Sequence, residues 1–402
     1  MNSSALHSER NPPSFFALIL VLVPLSMVGL EIHIAALPDL VAHFGSNHRT
    51  IQWSLTSYLV GYGLGQPLAG ILAEKYGRRP LLLGSLLAYA FCSLLVAFSP
   101  TAMLFVLLRF FQGCMAAPAA VISKAVINDC FRGREHQRMS NYASVAWAAG
   151  GLAPLVGGLT AAFFNWQATF AAFSAIVLLI SVLGYFYWPE TQPVKTGGKT
   201  SLKVINERLL TNATFVSAVL CMSLISSFSL IFSMDAPFLV EERLAQSKAA
   251  YGISAAILAI AWAIGPLICQ YLYQRYSLRS IADASFLICG VLILGAEVID
   301  LFFPETLALT VASLFLICVP GAVLFPVFLG TALRSNNKGF AALTSAFIGA
   351  LFTLTMSVIS LLLSFVSDYR LIFITALHLP LVFSCFILYR VFIRNSAALK
   401  SV

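Results

Sequence analysis

Twelve apolar runs, each about twenty residues or longer, make up most of this chain, and they constrain its fold more than any other feature. A bilayer core takes roughly 20 residues of helix. Within lipid, only helices and closed barrels satisfy every backbone polar group. The runs fall at 15–37, 50–73, 80–99, 101–124, 139–163, 166–188, 210–234, 249–273, 281–301, 306–333, 340–366 and 370–393. They are continuous and lack the period-two alternation of barrel strands, so the sequence predicts an all-α membrane protein with twelve transmembrane helices. At 59% hydrophobic and 10% charged residues over 402 positions, neither a water-soluble fold nor a disordered chain fits. The first run is too long for a signal-peptide core and has no small-residue cleavage site, so it is expected to stay attached as the first span.

Basic residues set the expected orientation. Nineteen of the 24 Lys and Arg fall on the side that holds both termini, four fall on the other, and Arg109 lies within a span. Positive loops face the cytoplasm, so a multi-pass inner (plasma) membrane protein with both termini cytoplasmic is expected. The net charge of +8 is then loop charge; no basic run suggests nucleic acid. The longest inside loop separates a six-helix unit at 1–188, a linker at 189–209 and a second six-helix unit at 210–402. Gly198-Lys199-Thr200 in the linker looks like the end of a phosphate-binding loop, but Pro193 stands where that pattern needs glycine and no strand precedes it, so ATP is not expected. Gly65, Leu72, Tyr76 and Arg79 recur 200 positions later as Gly265, Leu272, Tyr276 and Arg279. That echo fits the duplicated units of secondary transporters, and the expected architecture is two pseudo-symmetric six-helix bundles. The eight cysteines and six histidines show no metal-ligand or CxxC spacing, which leaves an embedded enzyme or sensor without a site; no cofactor is expected.

Charges buried in a span are expensive and functional by default. Glu31 in span one and Arg109 in span four both lie roughly 9–12 Å in from the same side at 1.5 Å per residue, so they are expected to meet or to face one cavity. Loss of water favours the neutral acid and a guanidinium favours the anion, which suits a proton carrier; a static pair holding helices together is the alternative. Asp235 precedes Ala236-Pro237, so its helix is expected to break there, and it, Glu297 and Asp300 lie within reach of interfacial water. His33, two residues from Glu31, falls off that helix face and reads as a packed or hydrogen-bonded residue. Tyr58, Tyr62, Trp147, Phe228, Phe232 and Trp262 are candidates for a cavity lining, with His33 and Asp235.

Two segments carry further patterns. Gly70, Glu74, Gly77, Arg78 and Arg79 surround a very short inside loop, with Asp129 available as a partner; such a cluster suits a two-state latch as well as a topogenic basic loop. Gly150, Gly151, Pro154, Gly157 and Gly158 in span five let a neighbouring helix approach closely.

These residues resemble the major facilitator superfamily. The stretch Gly70–Arg79 followed by Pro80 is similar to its loop 2–3 signature, with Glu74 where Asp is usual. Leu108-Arg109-Phe110-Phe111-Gln112-Gly113 is similar to the span-four signature of proton-coupled members. Span five resembles the antiporter signature, with Ala149 and Ala153 in two glycine positions. Leu30-Glu31-Ile32-His33-Ile34-Ala35-Ala36-Leu37-Pro38 resembles the span-one signature of the bicyclomycin/chloramphenicol-resistance type of drug–proton antiporters, with Glu31, His33 and Ala35 replacing Asp, Tyr and Pro. Asp235 to Phe238 and Gly252-Ile253-Ser254 resemble spans seven and eight of the same group. The resemblance implies two bundles rocking about a central cavity, proton coupling at Glu31 and Arg109, and a charge relay through Glu74, Arg78 and Asp129. It implies a monomeric secondary active transporter, driven by the proton gradient, with an amphipathic small molecule or drug as substrate and lipid as its surroundings. A dedicated carrier of a siderophore-like or other endogenous polar compound, exporting or importing by symport, is the alternative.

Overall fold

The computed structural model describes residues 13–130, 135–191, 210–303, 306–335, 341–366, 371–396 and 399. Linker positions 192–209, with Gly198-Lys199-Thr200, and the side chains of Asp129, Trp147 and Asp300 lie outside the described residues. The helices are α1 (Pro13–Glu31), α2 (Leu37–Phe44), α3 (His48–Tyr76), α4 (Arg78–Ala97), α5 (Ala102–Cys130), α6 (Glu135–Phe163) and α7 (Trp166–Tyr187) in the first half. The second half contains α8 (Ala213–Phe238), α9 (Lys248–Tyr273), α10 (Leu278–Phe302), α11 (Leu307–Arg334), α12 (Ala341–Val366), α13 (Leu371–Ala376) and α14 (His378–Leu388). No strand occurs among the described residues. Among the described residues each predicted span falls mainly on helix, and the whole is an all-α membrane protein.

Local chemistry explains where the helices begin. Asn47, Asn165, Asn212, Ser247, Ser277 and Thr306 each accept a bond from the backbone N–H three residues on, satisfying one of the orphan donors at a helix start. The first and last spans are each interrupted. Between α1 and α2 a 3₁₀ turn, Ile34–Ala36, intervenes, and Pro38, which has no N–H, stands in the first turn of α2. In the first turn of α2 that missing donor costs nothing.

Asp235 corrects the sequence expectation. α8 does not break before Pro237 but continues to Phe238 and then widens into a five-residue π-turn, Leu239–Arg243. Nor does Asp235 reach interfacial water: it is 1% exposed.

Among the described residues, ten helices are long and apolar enough to cross a bilayer, and Ala149–Phe163 is a shorter apolar stretch. α3 is not among them, although its 29 residues span about 43 Å. Its buried Gln52, Ser54, Thr56 and Gln66 face protein. Thr56 meets Ser360 at 2.7 Å and Gln66 donates to Thr353 at 3.3 Å, both on α12. In lipid these groups would be unsatisfied; between the halves they pair.

The α3–α4 reversal turns on Gly77, whose φ is +98°, a conformation costly for residues with a Cβ. The Glu190 carboxylate accepts from the backbone N–H groups of Arg78 and Arg79, each at 3.2 Å, capping α4. Gly77→Ala adds a Cβ 2.8 Å from Glu190 Oε2 to that strained φ. It is expected to lose about 1–3 kcal/mol, read as a lower melting temperature in detergent; an unchanged melting curve refutes this account of the turn.

Candidate functional site

α1 ends at Glu31, and the last carbonyls of a helix lack partners within it. Arg109 on α5 supplies partners for two of them. Its Nη1 donates to Gly29 O at 2.8 Å and its Nη2 to Leu30 O at 3.3 Å. A cation at a helix C-terminus is favoured by the helix dipole as well. The guanidinium is fully buried, lies 4.4 Å over the Tyr58 ring and donates to Gln112 Oε1. Gln112 in turn donates to Ser93 at 2.7 Å. The hydroxyls of Tyr58 and Tyr89 lie 3.0 Å apart and reach the carbonyls of Ser26 and Leu25 at 2.8 and 2.9 Å. One polar network on α3, α4 and α5 therefore fixes the final turns of α1 by their backbone.

Glu31 stands at the end of that fixed helix and points across the seam. It is half-buried, and Ser233 on α8 donates to its Oε2 at 3.2 Å. Arg109 acts on Glu31 through space, but no ion pair joins them among the described residues; the two face one region without bonding. His33 does not follow the helix-face argument, because the chain has left the helix. Fully buried, it shares a hydrogen bond of 3.2 Å with Ser54 and packs against Phe105 and Phe170.

The other candidates divide into two groups. Phe232 stacks on Tyr251 at 5.5 Å, next to Ser233, and Gln52 on α3 donates to Asp235 Oδ1 at 3.2 Å and to Met234 O at 3.0 Å. These belong to the seam around Glu31. Tyr58 and Tyr62 are stacked at 6.3 Å inside the first bundle. Phe228, against His378 and Gly321, and Trp262, beside Cys318, are core residues of the second.

The two halves are fastened along α3–α12 and α6–α9. At the end carrying His48, that side chain pairs with Glu242 at 3.0 Å, Asp39 pairs with Lys248, and Arg49 and Trp53 bond to Ser364. The glycines of span five are placed in the same seam. Gly157 abuts the carbonyl of Ile32, just past Glu31, Gly151 abuts Ala259, and Gly158 abuts the carbonyl of Lys248. α6 thus touches α1 on one side and α9 on the other at backbone distance. Of the loop cluster, Gly70 has open space around it, and Arg78 and Arg79 also donate to the carbonyls of Thr191 and Tyr185. Sequence reasoning missed Glu190, Ser233 and Tyr251, and named Gln112 only within the span-four signature. The one available signal was the acidic Glu190 in an otherwise basic loop.

The family model described as Major Facilitator Superfamily matches residues 19–335. A chloramphenicol resistance protein of Pseudomonas aeruginosa is 32% identical over 254 residues, which is 62% of this chain and 60% of that relative. The multidrug resistance protein MdtL of Salmonella typhimurium is 28% identical over 82% of both chains. Among solved structures, a D-xylose–proton symporter shares the fold with a TM-score of 0.76 at 14% identity, covering 96% of this chain and 98% of its own.

Proposed function

This chain belongs to the Major Facilitator Superfamily of transporters and is not an enzyme, and from that premise we propose that it exports an amphipathic small molecule or drug in exchange for protons. The observation that carries this reading is Glu31: one carboxyl group, half-buried, held from one half and hydrogen-bonded by the other. A carboxyl at such a seam changes its surroundings whenever the halves part, so its proton affinity follows the conformation. The resistance proteins among the relatives support a drug-like substrate, and the arrangement of basic loops supports the inner membrane with both termini cytoplasmic.

In this reading the His48 end faces outward and is closed. When it opens, Glu31 takes a proton from outside. When it closes, the proton leaves inward and the substrate takes its place in the space between the bundles. The relay of Glu74, Arg78 and Asp129 biases the opposite end, and the proton gradient is the only energy source.

The test is transport in proteoliposomes under an imposed pH gradient, with labelled chloramphenicol and a panel of unrelated amphipathic compounds. Movement of at least one compound is expected to follow the gradient, reverse with it and stop when a protonophore collapses it. Transport indifferent to the gradient overturns the antiport reading. A response confined to one endogenous polar compound makes the protein a dedicated carrier.

A further inference from the structure

The half of the site contributed by the second bundle is built from two hydroxyls. Ser233 on α8 donates to Glu31 Oε2 at 3.2 Å. Tyr251, one turn into α9, is fully buried and held flat by Phe232, whose ring is stacked on it at an interplanar angle of 14°. Its hydroxyl lies next to Ser233 and Glu31 and, among the described residues, makes no hydrogen bond of ordinary geometry. A buried hydroxyl without a partner costs roughly 1–3 kcal/mol, so its persistence here calls for a use.

We infer that Ser233 and Tyr251 are positioning residues for proton coupling, Ser233 presenting a hydroxyl donor to Glu31 and Tyr251 a second buried hydroxyl beside it whenever the halves close at the His48 end. The inference rests on the reading of Glu31 as the proton carrier. An ionised carboxylate only accepts, and a hydroxyl either donates or accepts. With the halves closed, as here, Ser233 donates to the carboxylate and the Tyr251 hydroxyl stands beside that bond, both dipoles favouring the anion. With the halves apart, the carboxylate loses both hydroxyls to distance, since it belongs to the first half and they belong to the second. Arg109 from α5, which also acts on it, stays with Glu31 in the first half and does not report closure. The two hydroxyls are therefore groups whose hold on the anion changes with the approach of the bundles and works against the burial that closure brings.

Infrared difference spectroscopy of the reconstituted protein tests this without any substrate. The carbonyl band of protonated Glu31 is the one that disappears in Glu31→Gln, and its intensity is followed against pH. Donors to the anion favour its formation, so removing one moves the half-point upward. Tyr251→Phe, which keeps the stacked ring, and Ser233→Ala are each expected to raise the half-point by about one pH unit, a tenfold change in proton affinity. Ser233→Thr keeps the hydroxyl and is expected to restore the wild-type half-point. A structural role alone moves the melting temperature but not this titration. A Glu31 band with the same half-point in Tyr251→Phe and Ser233→Ala as in wild type overturns the inference and leaves the Glu31 reading standing. If no titrating band is lost in Glu31→Gln, the Glu31 reading fails, and the inference with it.

Discussion

Glu31→Gln is expected to reduce gradient-driven transport to the level of empty liposomes. The substitution is close to isosteric, and the amide oxygen still accepts the bond that Ser233 now gives to Glu31 Oε2. The end of α1 remains held by Arg109 through Gly29 and Leu30. What is lost is the ability to take up and release a proton, so the defect falls on coupling and not on folding. Substrate exchange without a pH gradient is expected to continue, and the melting temperature is expected to stay near that of wild type. Glu31→Asp, which keeps an acid but shortens its reach towards α8, is expected to retain part of the activity. Full gradient-driven transport by the Gln variant would remove Glu31 from the mechanism.

Replacing Arg109 is expected to damage the fold and the transport together. Arg109→Met leaves the carbonyls of Gly29 and Leu30 and the Oε1 of Gln112 without their donors in a buried region. At about 1–3 kcal/mol for each unsatisfied buried group, partly relieved by local relaxation, a loss of roughly 3–5 kcal/mol is expected. Thermal melting in detergent measures it. Arg109→Lys recovers only a fraction, because a single ammonium lacks the planar fork that reaches two carbonyls while lying over the Tyr58 ring. Transport falls in both variants, since the turn that presents Glu31 is no longer fixed. A Met variant that melts like wild type would mean that Arg109 does not hold the end of α1.

Much of the helical frame was legible because the bilayer imposes a simple rule on composition, and the apolar runs are long. Glu31 and Arg109 stood out for the same reason: a charge within such a run demands an explanation. The relation between them was not legible. Depth along two helices placed them at one level, but only packing shows that Arg109 spends its donors on the backbone of α1 and that Glu31 turns to the other half. Ser233 and Tyr251 carry no signal of their own, since hydroxyl residues are common in membrane helices and their partner lies some 200 positions away. The continuation of α8 past Asp235 escaped the sequence because a proline removes only one hydrogen bond from a long helix, and the helix runs on through Pro237 to Phe238.

The polarity of α3 bears on how the protein is made. Its Thr56 and Gln66 find their partners, Ser360 and Thr353, on α12, about 300 residues further along the chain. A chain still lacking α12 leaves those groups looking into lipid or against whatever holds the helix in the meantime. Biosynthesis must therefore shelter the second span until nearly the whole polypeptide has entered the membrane, and a chain truncated before α12 loses the seal of its first half along with the missing piece.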